Sequence, residues 1–212
     1  TVSIQEHALE QNTVVETPFG DRGSRSLVSC GESEPDQRIV IVDPESTTVC
    51  APDRVGEVWV SGPSIARGYW NSPDETAKTF RARLSNDDEE LFLRTGDLGF
   101  FHDGELFITG RLKDLIVIRG LNHYPQDIEL TVEGSHAALR RGCGAAFSIE
   151  VEGEERLVIV QELEHRLQIN VTEVVESICQ AVSEKHELET HAVVLIKKGS
   201  IPKTSSGKIQ RR

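Results

Sequence analysis

A chain of 212 residues, 37% hydrophobic and 27% charged, is long enough for one large or two small domains with ordinary cores, so a disordered tail is excluded. Its formal charge of −12 argues against nonspecific nucleic-acid binding, which rests on clustered cations neutralising phosphates. The longest apolar runs, 115–118 and 192–196, are of strand length and far short of the roughly 20 residues that a membrane-spanning helix needs.

Residues 1–30 show no basic start followed by an apolar block, so no secretory signal is legible and the chain reads as cytoplasmic. The cysteines Cys30, Cys50, Cys143 and Cys179 match neither a paired zinc spacing nor a dense disulfide framework, and they read as reduced structural thiols. The seven histidines form no ligand pair at helical spacing, so no metal site is expected. Charge is unevenly spread, with 10 Lys and Arg against 20 Asp and Glu in residues 1–112 and 13 against 15 in residues 113–212. That asymmetry marks two differently built halves.

In chain order, residues 1–26 lack sustained periodicity and contain Pro18, Gly20 and Gly23, which predicts an irregular lead-in. Short β-type runs follow at 38–42, 55–61, 90–93 and 105–109, bounded by turn pairs such as Asp43-Pro44 and Asp103-Gly104. This half reads as a small β-barrel or sandwich. Between its strands, Ser72-Pro73-Asp74-Glu75 resembles a helix start with Ser72 as N-cap, ahead of a short helix to about Phe80. After Lys113 the pattern becomes α+β: a strand at 115–118, a helix at 126–133, strands at 143–151 and 156–162, a helix at 171–186 and a strand at 192–197. In the second helix Val171, Val174, Val175, Ile178 and Val182 share a face, and Asn170 with Glu173 makes a start like a capping box. The change of architecture places a boundary near residues 111–114, too short a linker to be a tether, so it reads as a hinge.

Four separated segments bear on chemistry. Gly56-Glu57-Val58-Trp59-Val60-Ser61-Gly62-Pro63, with Ala66-Arg67-Gly68-Tyr69-Trp70, reads by itself as a buried strand entering a glycine turn. In Leu93-Arg94-Thr95-Gly96-Asp97-Leu98-Gly99 an aspartate follows a strand through a tight glycine turn. A carboxylate at a strand end has two acceptor oxygens that suit a vicinal diol, and the competing reading is an Asx-turn aspartate. Thr109-Gly110-Arg111-Leu112-Lys113-Asp114 sets fixed positive charge beside the boundary, where a guanidinium can pair with phosphate or ribose oxygens, or make a plain surface salt bridge. The run Ser200-Ile201-Pro202-Lys203-Thr204-Ser205-Ser206-Gly207-Lys208 is a mobile-looking loop of small hydroxyl residues ending in Gly-Lys. It is not a P-loop, which would need a glycine at Lys203 and a hydroxyl residue at Ile209. Alone it also reads as a disordered basic tail.

The order and spacing of these four segments resemble the acyl-CoA synthetase, adenylation-domain and luciferase superfamily from about Leu27 onward. More narrowly, Ser29-Cys30-Gly31, Gly142-Cys143-Gly144-Ala145-Ala146-Phe147-Ser148 and the turn Asn122-His123-Tyr124-Pro125-Gln126-Asp127-Ile128-Glu129 look like fatty acyl-AMP ligases. Ordinary acyl-CoA synthetases carry a turn closer to Gly-x-x-Ile-x-Pro-x-Glu-Ile-Glu.

The resemblance implies a β-rich subdomain, a distorted small barrel ending the large domain, over residues 1–110, with 1–26 as lead-in. It implies a hinge at 111–114 and an α+β C-terminal lid domain over 115–212. It implies that Asp97 holds ribose, Arg111 contacts ribose and phosphate, Lys113 is the hinge residue and Lys208 is the catalytic lysine bridging substrate carboxylate and α-phosphate. The implied reaction activates a fatty acid with ATP and magnesium and hands the acyl group to an acyl carrier protein. Coenzyme A is the alternative acceptor, and a noncatalytic docking module is the alternative from another class. The family's phosphate loop, acyl tunnel and magnesium glutamate motif are expected upstream of Thr1. The isolated chain is therefore expected to bind no cofactor and to be inactive.

Overall fold

The computed structural model describes residues 1–164 and 170–210. They divide into two units, Thr1–Lys113 and Asp114–Arg212.

In the first unit a single long strand organises the rest. The elements are β1 (Val2–Gln5), α1 (Glu6–Glu10), β2 (Ser24–Leu27), β3 (Arg38–Val42), β4 (Gly56–Ser61), α2 (Pro73–Phe80), β5 (Ala82–Leu84), β6 (Asp87–His102) and β7 (Glu105–Arg111). With 16 residues, β6 pairs with β5 near its start, β4 in its middle and β7 over its second half, all antiparallel. Each pairing contains a register shift, and such irregularities add local bend and twist. The sheet β3-β4-β6-β5, with β7 on β6, curls into a half-barrel. Its interior holds Trp59 and Phe92, with ring centroids 6.2 Å apart, beside Val40, Val42 and Leu84. Phe100 and Phe107 stack at 5.5 Å.

Residues 1–26 are not the irregular lead-in that their composition predicts. β1 and β2 pair from Val2↔Leu27 to Gln5↔Ser24, and Val2, Ile4 and Leu9 are buried. The elements are too short to carry a periodic pattern, and burial against each other supplies the order that propensity does not. Ser72 precedes α2, but its side chain makes no capping bond; Pro73 and the carboxylates of Asp74 and Glu75 define that helix start.

A 3-10 turn, Leu112–Asp114, precedes β8 (Ile116–Ile118), β9 (Leu121–His123), α3 (Pro125–Ser135), β10 (Leu139–Val151), β11 (Glu154–Leu163), α4 (Val171–His186) and β12 (Thr190–Ile196). The β8-β9 hairpin turns on Arg119 and Gly120, both at positive φ (54° and 78°), and the β10-β11 hairpin turns on Glu152 and Gly153 (54° and 81°). Two successive left-handed residues give the turn whose twist matches the flanking strands. β11 is central, antiparallel to β10 and parallel to β12. Both helices contribute to one core: Ile128 and Val132 from α3 and Val174, Ile178 and Val182 from α4 meet Ala146, Leu157 and Ile159 of the sheet. Asn170 accepts from the backbone of Glu173 as the capping pattern requires, while Val171, expected on the buried face, is 55% exposed. It is the first residue of the helix, one turn before Val174, where the buried face begins.

Candidate functional site

Asp97 sits inside β6 rather than at a strand end. Opposite it, β4 advances from Glu57↔Leu98 to Trp59↔Arg94, so residues 95–97 bulge from the ladder. The bulge is pinned at several points. Gly96 takes φ 72°, the Asp97 N–H donates to Thr95 Oγ1 at 3.0 Å, and the Thr95 hydroxyl donates to the Val58 carbonyl at 2.7 Å. On β7, Arg111 occupies the register position facing Asp97 and donates from Nε to its carboxylate at 2.8 Å, with the two side chains 50% and 37% exposed. The structure therefore brings two of the residues predicted from the sequence into one exposed pair. The competing Asx-turn reading of Asp97 does not describe it, because the local turn bond is made by Thr95. A carboxylate held this way presents acceptors for adjacent hydroxyls, with fixed positive charge beside it.

Beneath the bulge lies a residue that the sequence reading assigned no role. The Glu57 side chain is 2% exposed. Its Oε2 accepts from Trp59 Nε1 (2.9 Å) and from Arg94 Nε and an Arg94 terminal nitrogen (2.9 and 2.7 Å), while Oε1 accepts from the Gly96 N–H (3.2 Å). Arg94 also lies over the Trp59 ring, 5.3 Å from its centroid. Every acceptor position that matters is thus filled, which offsets the cost of burying a charge. The signal was in the sequence: an acid between Gly56 and Val58 in an apolar strand, with an arginine just before the Thr-Gly-Asp turn.

Lys113 is exposed in the 3-10 turn that leads out of the first unit.

In the second unit, Lys208 is exposed on a segment that is more built than a mobile tail. Thr204 and Lys208 are joined by a backbone bond of 2.8 Å, the Lys208 N–H donates to Thr204 Oγ1 at 3.1 Å, Lys203 bridges to Ile209, and the Gln210 N–H returns to the Pro202 carbonyl. Residues 202–210 therefore form a small hairpin with Lys208 beside its turn. On its stem, Lys203 Nζ donates to the Gly142 carbonyl at 2.7 Å and lies 3.3 Å from Cys143 Sγ.

The hairpin root is tied to Glu162 on β11, a fully buried acid. It accepts from Arg140 (2.6 Å), the Gly199 N–H (2.9 Å) and the Ile201 N–H (2.8 Å). Burial pushes this carboxyl up, but the N–H groups of Ile201 and Gly199 and the Arg140 guanidinium outweigh it and hold the group at about 2. The turn quoted above as ligase-like links β9 to α3: His123 and Tyr124 are buried in it, Pro125 starts the helix, and Glu129 reaches the Ala146 N–H at 3.0 Å. Among the described residues no three His, Cys, Asp or Glu side chains gather as metal ligands, and no helix is long and apolar enough to cross a membrane.

Residues 113–212 match the family model of the Disco-interacting protein 2-like AMP domain, and residues 10–70 match that of the AMP-binding enzymes. The likeness thus begins well before Leu27. The chain is 54% identical over 214 aligned residues to the medium-chain-fatty-acid acyl-carrier-protein ligase JamA of Moorena producens, covering 99% of this chain and 36% of that protein. It is 42% identical to the putative fatty-acid CoA ligase fadD21 of Mycobacterium leprae, over 81% of this chain and 31% of that one. A solved structure from work on the fatty acyl-adenylate ligases of E. coli and L. pneumophila superposes with a TM-score of 0.81 at 28% identity, covering 99% of this chain and 36% of that chain. The chain spans about a third of the length of the relatives it matches. Both family matches are thus to AMP-binding domains, and the relatives and solved structures to which the chain is similar are adenylate-forming enzymes, fatty-acid ligases among them.

Proposed function

We propose that residues 1–110 are the closing β-subdomain of the large domain of a fatty acyl-AMP ligase, that 111–114 are its hinge with Lys113 as the pivot, and that 115–212 are its lid domain. The observation that carries this reading is the Asp97–Arg111 pair, at facing positions on neighbouring strands and joined at 2.8 Å. Asp97 accepts from the two ribose hydroxyls of ATP, and Arg111 neutralises charge on ribose and phosphate oxygens. A carboxylate oxygen of the fatty acid attacks the α-phosphorus, the bond to the bridging oxygen breaks, and pyrophosphate leaves. Lys208 Nζ lies between the attacking carboxylate and the α-phosphate and balances the charge that develops there, without transferring a proton.

Rotation about the hinge then withdraws Lys208 and admits a phosphopantetheine thiol, whose sulfur attacks the acyl carbon and expels AMP. The thiol is that of an acyl carrier protein, the acceptor in the name of the JamA relative. The reaction consumes ATP in the cytoplasm. Magnesium would supply charge neutralisation on the phosphates in this chemistry, and among the described residues no three His, Cys, Asp or Glu side chains gather to hold it.

The second reading is a fatty acyl-CoA ligase, favoured by the name of the fadD21 relative. The full-length enzyme decides between them: the acyl group should pass to holo carrier protein, and acylation of coenzyme A alone would overturn the first reading. Lys208→Ala should slow acyl-AMP formation by about 10²-fold or more, since one charge contact to a transition state is worth that much. Unchanged acyl-AMP formation would leave a noncatalytic docking module as the better description.

A further inference from the structure

We propose that Glu162 is a positioning residue for acyl-AMP formation, acting by fixing the root of the hairpin that presents Lys208. The inference rests on the assignment of Lys208 above and goes beyond it. Glu162 lies near the end of the central strand β11, facing Ile196 where β12 ends and the Lys208 segment departs. Its two oxygens are divided between the parts to be held. Oε1 takes the Ile201 N–H, and Oε2 takes the Gly199 N–H and the Arg140 guanidinium. Gly199, at φ 78°, lies within the turn that the Ser200 N–H closes onto the Lys197 carbonyl. The acid thus bonds the turn itself and, at Ile201, the residue just after it, from which residues 202–210 project.

A second tie, from Lys203 Nζ to the Gly142 carbonyl, comes from the hairpin itself and reaches the start of β10. The root is therefore fixed by a buried charge, and the stem by an exposed lysine that water can replace. Lys208 is a long, exposed side chain, so its reach is set by where its backbone is held. A displacement of about 1 Å in a group that must meet a reacting atom costs on the order of 10²-fold in rate. A glutamine at 162 has one acceptor oxygen instead of two. Whichever way the amide turns, an NH2 group faces either the Ile201 N–H or the Gly199 N–H with Arg140, so donor meets donor and the root must move.

The test uses the full-length ligase and separates its two half-reactions: pyrophosphate release with fatty acid and ATP, and acyl transfer to holo carrier protein or coenzyme A from supplied acyl-AMP. Glu162→Gln should slow the first by about 10- to 100-fold and leave the second within about threefold. The double variant Glu162→Gln/Lys208→Ala should be no slower than Lys208→Ala alone, because nothing remains to be positioned. Equal slowing of both half-reactions, or additive losses in the double variant, would show a merely structural acid and overturn the proposal. If Lys208→Ala alone leaves pyrophosphate release unchanged, the lysine assignment fails first, and the positioning role with it. Should Glu162→Gln fail to fold, Arg140→Gln keeps both backbone bonds to the acid and removes its counter-charge. The same selective loss, smaller, is expected there, and an unselective one refutes.

Discussion

Replacing Glu57 by glutamine tests whether the buried acid holds the Asp97 bulge in place. The wild-type carboxylate receives four hydrogen bonds at 2.7–3.2 Å, three on one oxygen and one on the other. An amide keeps one oxygen, so its NH2 group faces either the Gly96 N–H or the Trp59 and Arg94 donors. In both orientations a buried donor loses its acceptor and Arg94 loses its counter-charge. Only the acid of this pair is buried, Arg94 being 33% exposed, so leaving the donors without their acceptor costs about 1–3 kcal/mol. That is a large share of the roughly 5–15 kcal/mol by which a domain is stable. Urea unfolding followed by tryptophan fluorescence should show the loss as a lower midpoint. Because Gly96 is one of the four donors, the Asp97 carboxylate should shift as well, and the apparent affinity for ATP in the full-length enzyme should fall. A Glu57→Gln protein within about 1 kcal/mol of wild type, with unchanged ATP affinity, would refute this account of the bulge.

Three further outcomes are expected. Glu162 has a carboxyl at about 2 in the folded chain against 4.5 for the free group, so its contribution to stability is fully present above about pH 4.5 and is lost as pH falls toward 2; acid titration of stability should lose that component in Glu162→Gln. Gly99→Ala should destabilise by about 1–3 kcal/mol in thermal melts, because the added Cβ would stand 2.5 Å from the Phe107 carbonyl oxygen and 3.1 Å from Val58 Cγ2. Ile178→Ala, at a fully buried position of α4 against the sheet, should cost about 2–5 kcal/mol by chemical denaturation, whereas Val171→Ala on the exposed first turn should change stability by less than about 0.5 kcal/mol.

Much of the fold was legible where the pattern is local. The 3.6-residue spacing and the Asn170 cap gave α4 its bounds of Val171–His186, and the apolar run gave β3 as Arg38–Val42. The residues proposed for the site, Asp97, Arg111 and Lys208, stood out because the order of their segments resembles a known family, not because any one segment was decisive alone. What was not legible depends on partners distant in sequence. β1 and β2 are four residues each and are strands because they pair across 18 intervening residues. β6 runs on through Arg94-Thr95-Gly96-Asp97, which reads locally as a turn, because β4 and β7 keep pairing on either side of the bulge.

The sequence by itself determined the change of architecture near residue 113 and the amphipathic helix, and it supplied the residue types on which the proposed site rests, since period and side-chain chemistry are carried residue by residue. The tertiary structure alone decided that Asp97 faces Arg111, that Glu57 lies under the bulge, and that Glu162 ties down the Lys208 hairpin. Each of these is a pairing of strands or a burial of charge between segments 14 to 39 residues apart, and no local pattern encodes which distant donor a buried acceptor meets.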